Sequence, residues 1–250
     1  MKKKTFFLHI PKTAGSTLRA VFKRNYGDAF ELIPGNDPVD GLTKAKESNS
    51  WKRKELIWLH GDWESCNGAD VLTMLREPIA RMESFYYYVK SQPDHYLHKF
   101  CAENDAIRFF EEAETLETHN GQCRILAGYG GYHGMNAGRN DEVRGQELLN
   151  VARKNLFEQT IAFGLQSRFV DSLMVFEKKL NWQRGIKFNT VNKRASSYKT
   201  SSLNKKELDC VKRLNALDIE LYEEAEEQFQ EQFDKVKSTF RIMKYKLTGR

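Results

Sequence analysis

The chain lacks any long hydrophobic run. After Met1-Lys2-Lys3-Lys4 the apolar stretch lasts only from Phe6 to Ile10 before Pro11 and Lys12 interrupt it. That is too short for a signal core, and far short of the roughly 20 residues that span a membrane. Cysteine is scarce: Cys66, Cys101, Cys123 and Cys210 are widely spaced, with no Cys-x-x-Cys pair. Neither a zinc knuckle nor a redox pair is indicated, and four mostly reduced, partly buried thiols are the expectation. No stretch rich in proline, glycine and serine divides the chain, and no internal repeat occurs, so its 250 residues are expected to form a single domain, 1–250. Also absent is the Gly-Lys-Ser/Thr ending of the nucleotide-triphosphate loop.

Hydrophobic residues at 40% and charged residues at 30% suit a soluble globular enzyme rather than a disordered tail. A formal charge of +6 and a pI near 9.0 favour anionic partners. Basic residues interleaved with aromatics would point to nucleic acid. Lys187, Lys193, Arg194 and Lys199 come nearest to such a run, and no nucleic-acid partner is expected from them.

Phe6-Phe7-Leu8-His9-Ile10 breaks into Pro11-Lys12-Thr13-Ala14-Gly15-Ser16-Thr17-Leu18, a small, hydroxyl-rich turn with one lysine. It reads as a strand over Thr5–Ile10, an anion-holding loop and a helix start. Backbone amides around Ala14–Thr17 would curl about a phosphate at the helix's positive end, Ser16 and Thr17 would add hydroxyls, and Lys12 would add charge. Asp70-Val71-Leu72-Thr73-Met74-Leu75-Arg76-Glu77-Pro78 repeats the pattern: a buried strand stopped by a charged turn, with a helix from Ile79. Arg76 ends that strand, and Arg81 and Ser84, three residues apart, share a helix face. An arginine fork with a serine hydroxyl holds phosphate by charge-assisted bonds. Two anion sites at two strand ends suggest a ligand with two separated phosphates.

Strand-like runs at Thr5–Ile10, Leu56–His60, Val71–Leu75 and Thr160–Gly164 alternate with helical patterns after Ser16 and Pro78 and near Ala106–Glu117, Gly145–Phe157 and Phe169–Leu180. The expected fold class is α/β, a central parallel sheet flanked by helices. Ligands of such sheets gather beyond the strands' carboxyl ends, where Lys12, His60 and Arg76 all fall. From Leu203 to Phe233 a long amphipathic C-terminal helix is expected on Leu208, Val211, Leu214, Leu217, Leu221 and Ala225. The glycine-rich run Gly128–Gly138 reads as a loop whose aromatics either stack on sugar rings or form plain surface.

With these segments in view, the chain resembles the carbohydrate sulfotransferases that use 3′-phosphoadenosine 5′-phosphosulfate (PAPS). His9 to Thr17 is similar to their 5′-phosphosulfate loop, and Arg76 to Tyr86 to their 3′-phosphate segment. Within that family the likeness is closest to heparan sulfate 6-O-sulfotransferases. Leu59-His60-Gly61-Asp62-Trp63 resembles their Leu-His-Ala-Asp-Trp motif, and Asn120 to Ala127 their segment around Arg-Met-Leu-Ala. Arg194-Ala195 and Leu214 to Tyr222 look like their closing loop and final helix. Pro11 stands where the 6-O enzymes typically carry glutamine, which makes the loop more like the wider family, including the 2-O-sulfotransferases.

The resemblance implies a P-loop-NTPase-like sulfotransferase fold and transfer of a sulfuryl group from PAPS to a glycan hydroxyl, with PAP as product and no metal. It implies donor binding by Lys12, Thr13, Ala14, Gly15, Ser16, Thr17, Arg76, Ser84 and Arg194, with Lys193 a weaker candidate. His60 would be the general base, the other reading of it being a strand-end histidine satisfied by backbone, and Lys12 would stabilise the leaving oxygen. Asp62 either orients His60 or caps a helix. Trp63 either floors a sugar subsite or packs in the core, and Arg124 either meets an acceptor anion or makes a structural ion pair. His95 and His98 share a possible helical face without a carboxylate at matching spacing, so no metal site is expected there.

The acceptor is expected to be anionic and heparan-like, with another bacterial surface glycan or a small alcohol as the alternatives. Animal Golgi sulfotransferases carry a membrane anchor, so the chain is expected to be either a cytoplasmic bacterial protein or a trimmed catalytic domain. Two readings from other classes stand beside this one. A P-loop kinase-like phosphotransferase would bind ATP with magnesium, and a basic non-enzymatic module would bind polyanions with steep salt dependence.

Overall fold

The computed structural model describes residues 3–34, 38–66, 68–113, 115–128, 145–182, 186 and 202–237. Arg194, with Lys187, Lys193 and Lys199, lies outside the described residues, as does the run 129–138. Five strands, β1 (Thr5–Leu8), β2 (Phe30–Ile33), β3 (Leu56–Leu59), β4 (Asp70–Leu75) and β5 (Thr160–Leu165), form one sheet in the order β2-β3-β1-β4-β5. Every pairing is parallel. This explains the near-continuous apolar runs of β1, β3 and β4, because a parallel sheet is covered on both faces. Phe7 of β1 pairs with Trp58 of β3 on one side and Leu72 of β4 on the other, and all three are buried. The Thr73 hydroxyl is accommodated in that core by donating to the Leu8 carbonyl over 2.8 Å.

Pairing in β1 and β3 stops at Leu8 and Leu59, earlier than the expected Ile10 and His60, so His9 and His60 both stand just past the sheet. The edge strand β2 was not expected. Its Phe-Glu-Leu-Ile sequence keeps Glu31 and Leu32 partly in solvent, and so short a mixed run carries no clear period.

The connection from β1 runs through helix α1 (Gly15–Tyr26) to β2, and α2 (Pro38–Glu47) returns the chain to β3. From β4 it passes to the opposite side of the sheet through α3 (Pro78–Ser91), α4 (His98–Glu103), α5 (Ala106–Glu112), α6 (Gly121–Ala127) and α7 (Gly145–Arg153) to β5. The connections after β1 and β4 therefore leave in opposite directions. That makes the crevice at their carboxyl ends the topological switch point where α/β sheets bind ligands. After β5 come α8 (Phe169–Leu180), α9 (Lys205–Leu214) and α10 (Ala216–Lys237).

Three helical expectations need correction. The Ala106–Glu117 pattern ends at Glu112 and resumes as a 3-10 turn over Leu116–Thr118. The Gly145–Phe157 pattern passes at Lys154 into a π-helical turn that leads into β5. The expected single helix from Leu203 to Phe233 is two, broken at Asn215. The Asn215 carboxamide accepts from the Asn120 amide (3.2 Å) and donates to the Thr118 carbonyl (3.2 Å), so it serves a neighbouring turn rather than a continuous helix.

Beside the main core around the sheet, a second cluster of Met82, Phe85, Val89, Leu97, Phe109, Phe110 and Val211 binds α3, α4, α5 and α9 together. All four cysteines are free and buried. Among the described residues, no helix is long and apolar enough to cross a membrane.

Candidate active site

The segment after β1 adopts an unusual backbone. Lys12 and Ala14 both take left-handed conformations, φ 72° and 71°, which non-glycine residues adopt at a cost of order 1 kcal/mol each. Alternation of left-handed and ordinary residues turns successive amides toward one point, the arrangement that makes an anion nest. Thr13 is fully buried and its hydroxyl is turned back onto the Ile10 carbonyl (2.8 Å), so it shapes the loop. Helix α1 then begins at Gly15 with no side-chain cap and no acidic residue in its first turn. Its positive end is thereby left open to an external anion. Ser16 is exposed there, and Thr17 is buried.

Arg76 reaches this loop from the end of β4. Its Nη1 donates to the Lys12 carbonyl over 3.0 Å, while its Nε is buried with no partner among the described residues. Its backbone is clamped by Gln122. The Gln122 Oε1 accepts from the Arg76 amide (3.1 Å) and its Nε2 donates to the Arg76 carbonyl (2.9 Å), so a side chain imitates the next rung of a sheet. Glu77 caps α3 by accepting from the amides of Ile79 (2.9 Å) and Ala80 (2.6 Å). Burial, reinforced by Arg76, lowers the Lys12 ammonium to about 8. Two cations are thus held close together, one with a donor unpartnered among the described residues, although the Glu77 and Glu83 carboxylates also act on Arg76.

His60 follows the end of β3 on the same edge. Burial and the Arg19 charge lower its imidazole to about 4, so at neutral pH the ring is uncharged and able to accept a proton. His9, which sequence reasoning did not single out, packs edge-to-face against it with ring centroids 4.6 Å apart. Buried deeply, and facing His60, Lys12 and Arg19, His9 is held well below the ordinary histidine range. Gly15 lies directly on this ring: a Cβ there would come within 2.4 Å of the His9 Cε1. The glycine of the loop is therefore required by the histidine beneath it. That coupling was legible only as His9 and Gly15 occurring in one motif.

Ser84 is half-buried on α3, one helical step beyond Arg81. Arg81 itself faces inward. Completely buried, it donates to the Glu117 carbonyl (2.7 Å) and lies 3.6 Å from the Asp218 carboxylate. Asp218 in turn accepts from the Gln122 and Cys123 amides at 3.0 and 2.8 Å, capping α6. The shared helix face expected for Arg81 and Ser84 thus divides into a structural cation and a half-buried hydroxyl.

Asp62 is buried, and its Oδ1 accepts from the Ser65 amide (3.1 Å) and hydroxyl (2.8 Å), the capping alternative. Trp63 packs partly buried against the main core, and Arg124 is buried within α6. The structure brings Lys12 to Thr17, His60 and Arg76 together, and Asp62 to Trp63 follow on the turn after His60. The arrangement could hold an anion between a helix terminus and two cations, with the His60 imidazole nearby.

A model of the sulfotransferase family matches residues 1–223. No curated protein matches the chain. Among solved structures, the crystal structure of mouse sulfotransferase SULT7A1 complexed with PAP aligns at 14% identity and a TM-score of 0.41, covering 88% of this chain. The alignment spans only 65% of the mouse enzyme's chain. With a family model matched over most of its length, the chain belongs to the sulfotransferase family.

Proposed function

We propose that the protein is a PAPS-dependent sulfotransferase acting on a hydroxyl of a glycan, with the heparan-like 6-O position as the favoured acceptor. One observation carries this reading: the Arg76 guanidinium lies against the Lys12 carbonyl, at the mouth of an uncapped α1, with its Nε unpartnered among the described residues. A buried donor without an acceptor is costly, and a phosphate at this point would satisfy it together with the open amides of α1. The donor set fits a bis-phosphorylated nucleotide. Lys12 and the Ala14–Thr17 loop would hold the 5′ end, Arg76 and Ser84 the 3′-phosphate, and Arg194 would join them.

Bound PAPS would supply the sulfuryl group and leave as PAP. His60, neutral at physiological pH, would take the proton from the acceptor hydroxyl as that oxygen attacks. The Lys12 ammonium would offset the charge that develops on the leaving phosphate oxygen. No step in this scheme calls on a metal. Asp62, Trp63 and Arg124, which cap a turn, pack on the core and lie buried in α6, would support the acceptor side from behind.

Calorimetric titration with PAP, run beside ATP with magnesium, tests the proposal. PAP binding that weakens about tenfold or more in Arg76→Ala is the expected result. Preference for ATP, or no nucleotide binding, would overturn it in favour of the kinase-like or polyanion-binding reading.

A further inference from the structure

Exposed aromatic rings cluster beside Lys12. Tyr88, one helical turn beyond Ser84 on α3, is 42% exposed, and Tyr96, in the connection to α4, is 65% exposed. His95 joins them: its ring stacks on Tyr96 at 4.8 Å and meets the edge of Tyr88 at 5.7 Å. The Lys12 Nζ sits 3.7 Å from the centre of the Tyr88 ring, so the ledge begins at the cation of the anion site. The ledge rests on the second core cluster through Phe85, whose ring touches His95, and is therefore held in place.

Its chemistry is specific. The Leu97 amide donates to the His95 Nδ1 over 3.2 Å, which assigns the ring proton to Nε2 and makes that nitrogen a donor. Burial lowers the His95 imidazole, opposed by Glu117 and reinforced by Lys12, and burial together with Glu117 raises the Tyr96 hydroxyl; Glu117 itself bonds the Thr115 hydroxyl. The charges bordering the ledge are thus of opposite sign. Flat, rigid rings with polar tips, flanked by a carboxylate acceptor and an imidazole donor, match a ring that has apolar C–H faces and a hydroxyl rim.

We propose that Tyr88, His95 and Tyr96 form the acceptor subsite, seating an uncharged sugar ring of a glycan by stacking, beside Lys12. The proposal rests on the sulfuryl-transfer reading above, and its test separates the two. The protein is titrated with cellohexaose and chitohexaose, both neutral, and with a polyanionic heparosan hexasaccharide, each with and without PAP. Binding of at least one of the three, each of which carries uncharged glucose or N-acetylglucosamine rings, is expected. Tyr96→Ala should weaken it about tenfold or more while PAP affinity stays within about twofold, and Tyr96→Trp, which keeps a stacking face, should retain it. Oligosaccharide binding that survives Tyr96→Ala, a PAP affinity that falls instead, or no oligosaccharide binding would each overturn the proposal. A protein that ignores PAP yet loses neutral-sugar binding in Tyr96→Ala would refute the donor reading and leave the ledge standing.

Discussion

Arg76 and Lys12 meet through one hydrogen bond, from the guanidinium Nη1 to the lysine's own carbonyl oxygen at 3.0 Å. This contact ties the end of β4 to the loop after β1 and sets two cations on either side of the switch point. The lysine backbone anchors the arginine, while the lysine side chain is free to extend over Tyr88. Backbone and side chain of Lys12 thus serve different parts of the site.

The role of His60 has a kinetic signature. His60→Gln should lower turnover by about 10²–10⁴-fold with PAP affinity nearly unchanged, because a proton acceptor is lost while the anion site is kept. In the wild type the acid limb of the rate profile should lie between about 4, the value in the free site, and the ordinary 6.5, since a bound anion raises the imidazole again. Steady-state rates from pH 4 to 8 check both points. A His60→Gln variant with full turnover removes the residue from this role.

Donor affinity should depend on pH through Lys12. Its ammonium, lowered to about 8 in the free protein, is mostly charged at neutral pH and loses its proton above that value. An anion binds the charged form, so PAP affinity should fall by up to about tenfold per pH unit above 8. Lys12→Arg, whose guanidinium stays charged, should flatten the curve. Calorimetry at pH 7, 8 and 9 would reveal a pH-independent affinity if Lys12 does not contact the donor.

Gly15→Ala should abolish PAP binding and lower stability, since the new methyl would overlap the His9 ring at 2.4 Å from Cε1 and 2.6 Å from Nε2. Because the collision has a single partner, His9→Ala in the same chain should restore part of the loss. A double-mutant cycle by urea unfolding should therefore give a coupling of about 1–3 kcal/mol. Additive effects would place the cause elsewhere.

Arg81 is expected to matter for folding rather than for chemistry. Arg81→Ala leaves the buried Asp218 carboxylate without its cation, and should cost about 3–5 kcal/mol of stability in urea titration. A variant of near wild-type stability that fails to bind PAP would instead assign Arg81 to the donor site.

Much of the site was legible in the sequence because chain-local patterns encode it. Apolar runs stopped by Pro11-Lys12 and by Arg76-Glu77-Pro78 mark buried strands feeding helices, and period and punctuation suffice to read them. Even so, β2 was missed, being short and half-polar at the edge. The break at Asn215 was missed because its cause is a turn at Thr118–Asn120, nearly a hundred residues earlier. Arg81 and Ser84 looked equivalent on one helix face until the burial of Arg81 against Asp218 separated them.

By itself, then, the sequence determined a strand, loop and helix carrying Lys12, a second strand end carrying Arg76, and a histidine after a third, each written within a dozen contiguous residues. Only the tertiary structure decided that these ends meet on one edge. It also decided that His9 lies beneath Gly15, that Gln122 clamps Arg76, and that Tyr88 and Tyr96 stand beside Lys12. The physical reason is that these contacts join segments distant in the chain or facing in directions no periodicity records. The parallel crossovers and the second core cluster bring them together, and burial there sets which groups stay neutral and which remain charged.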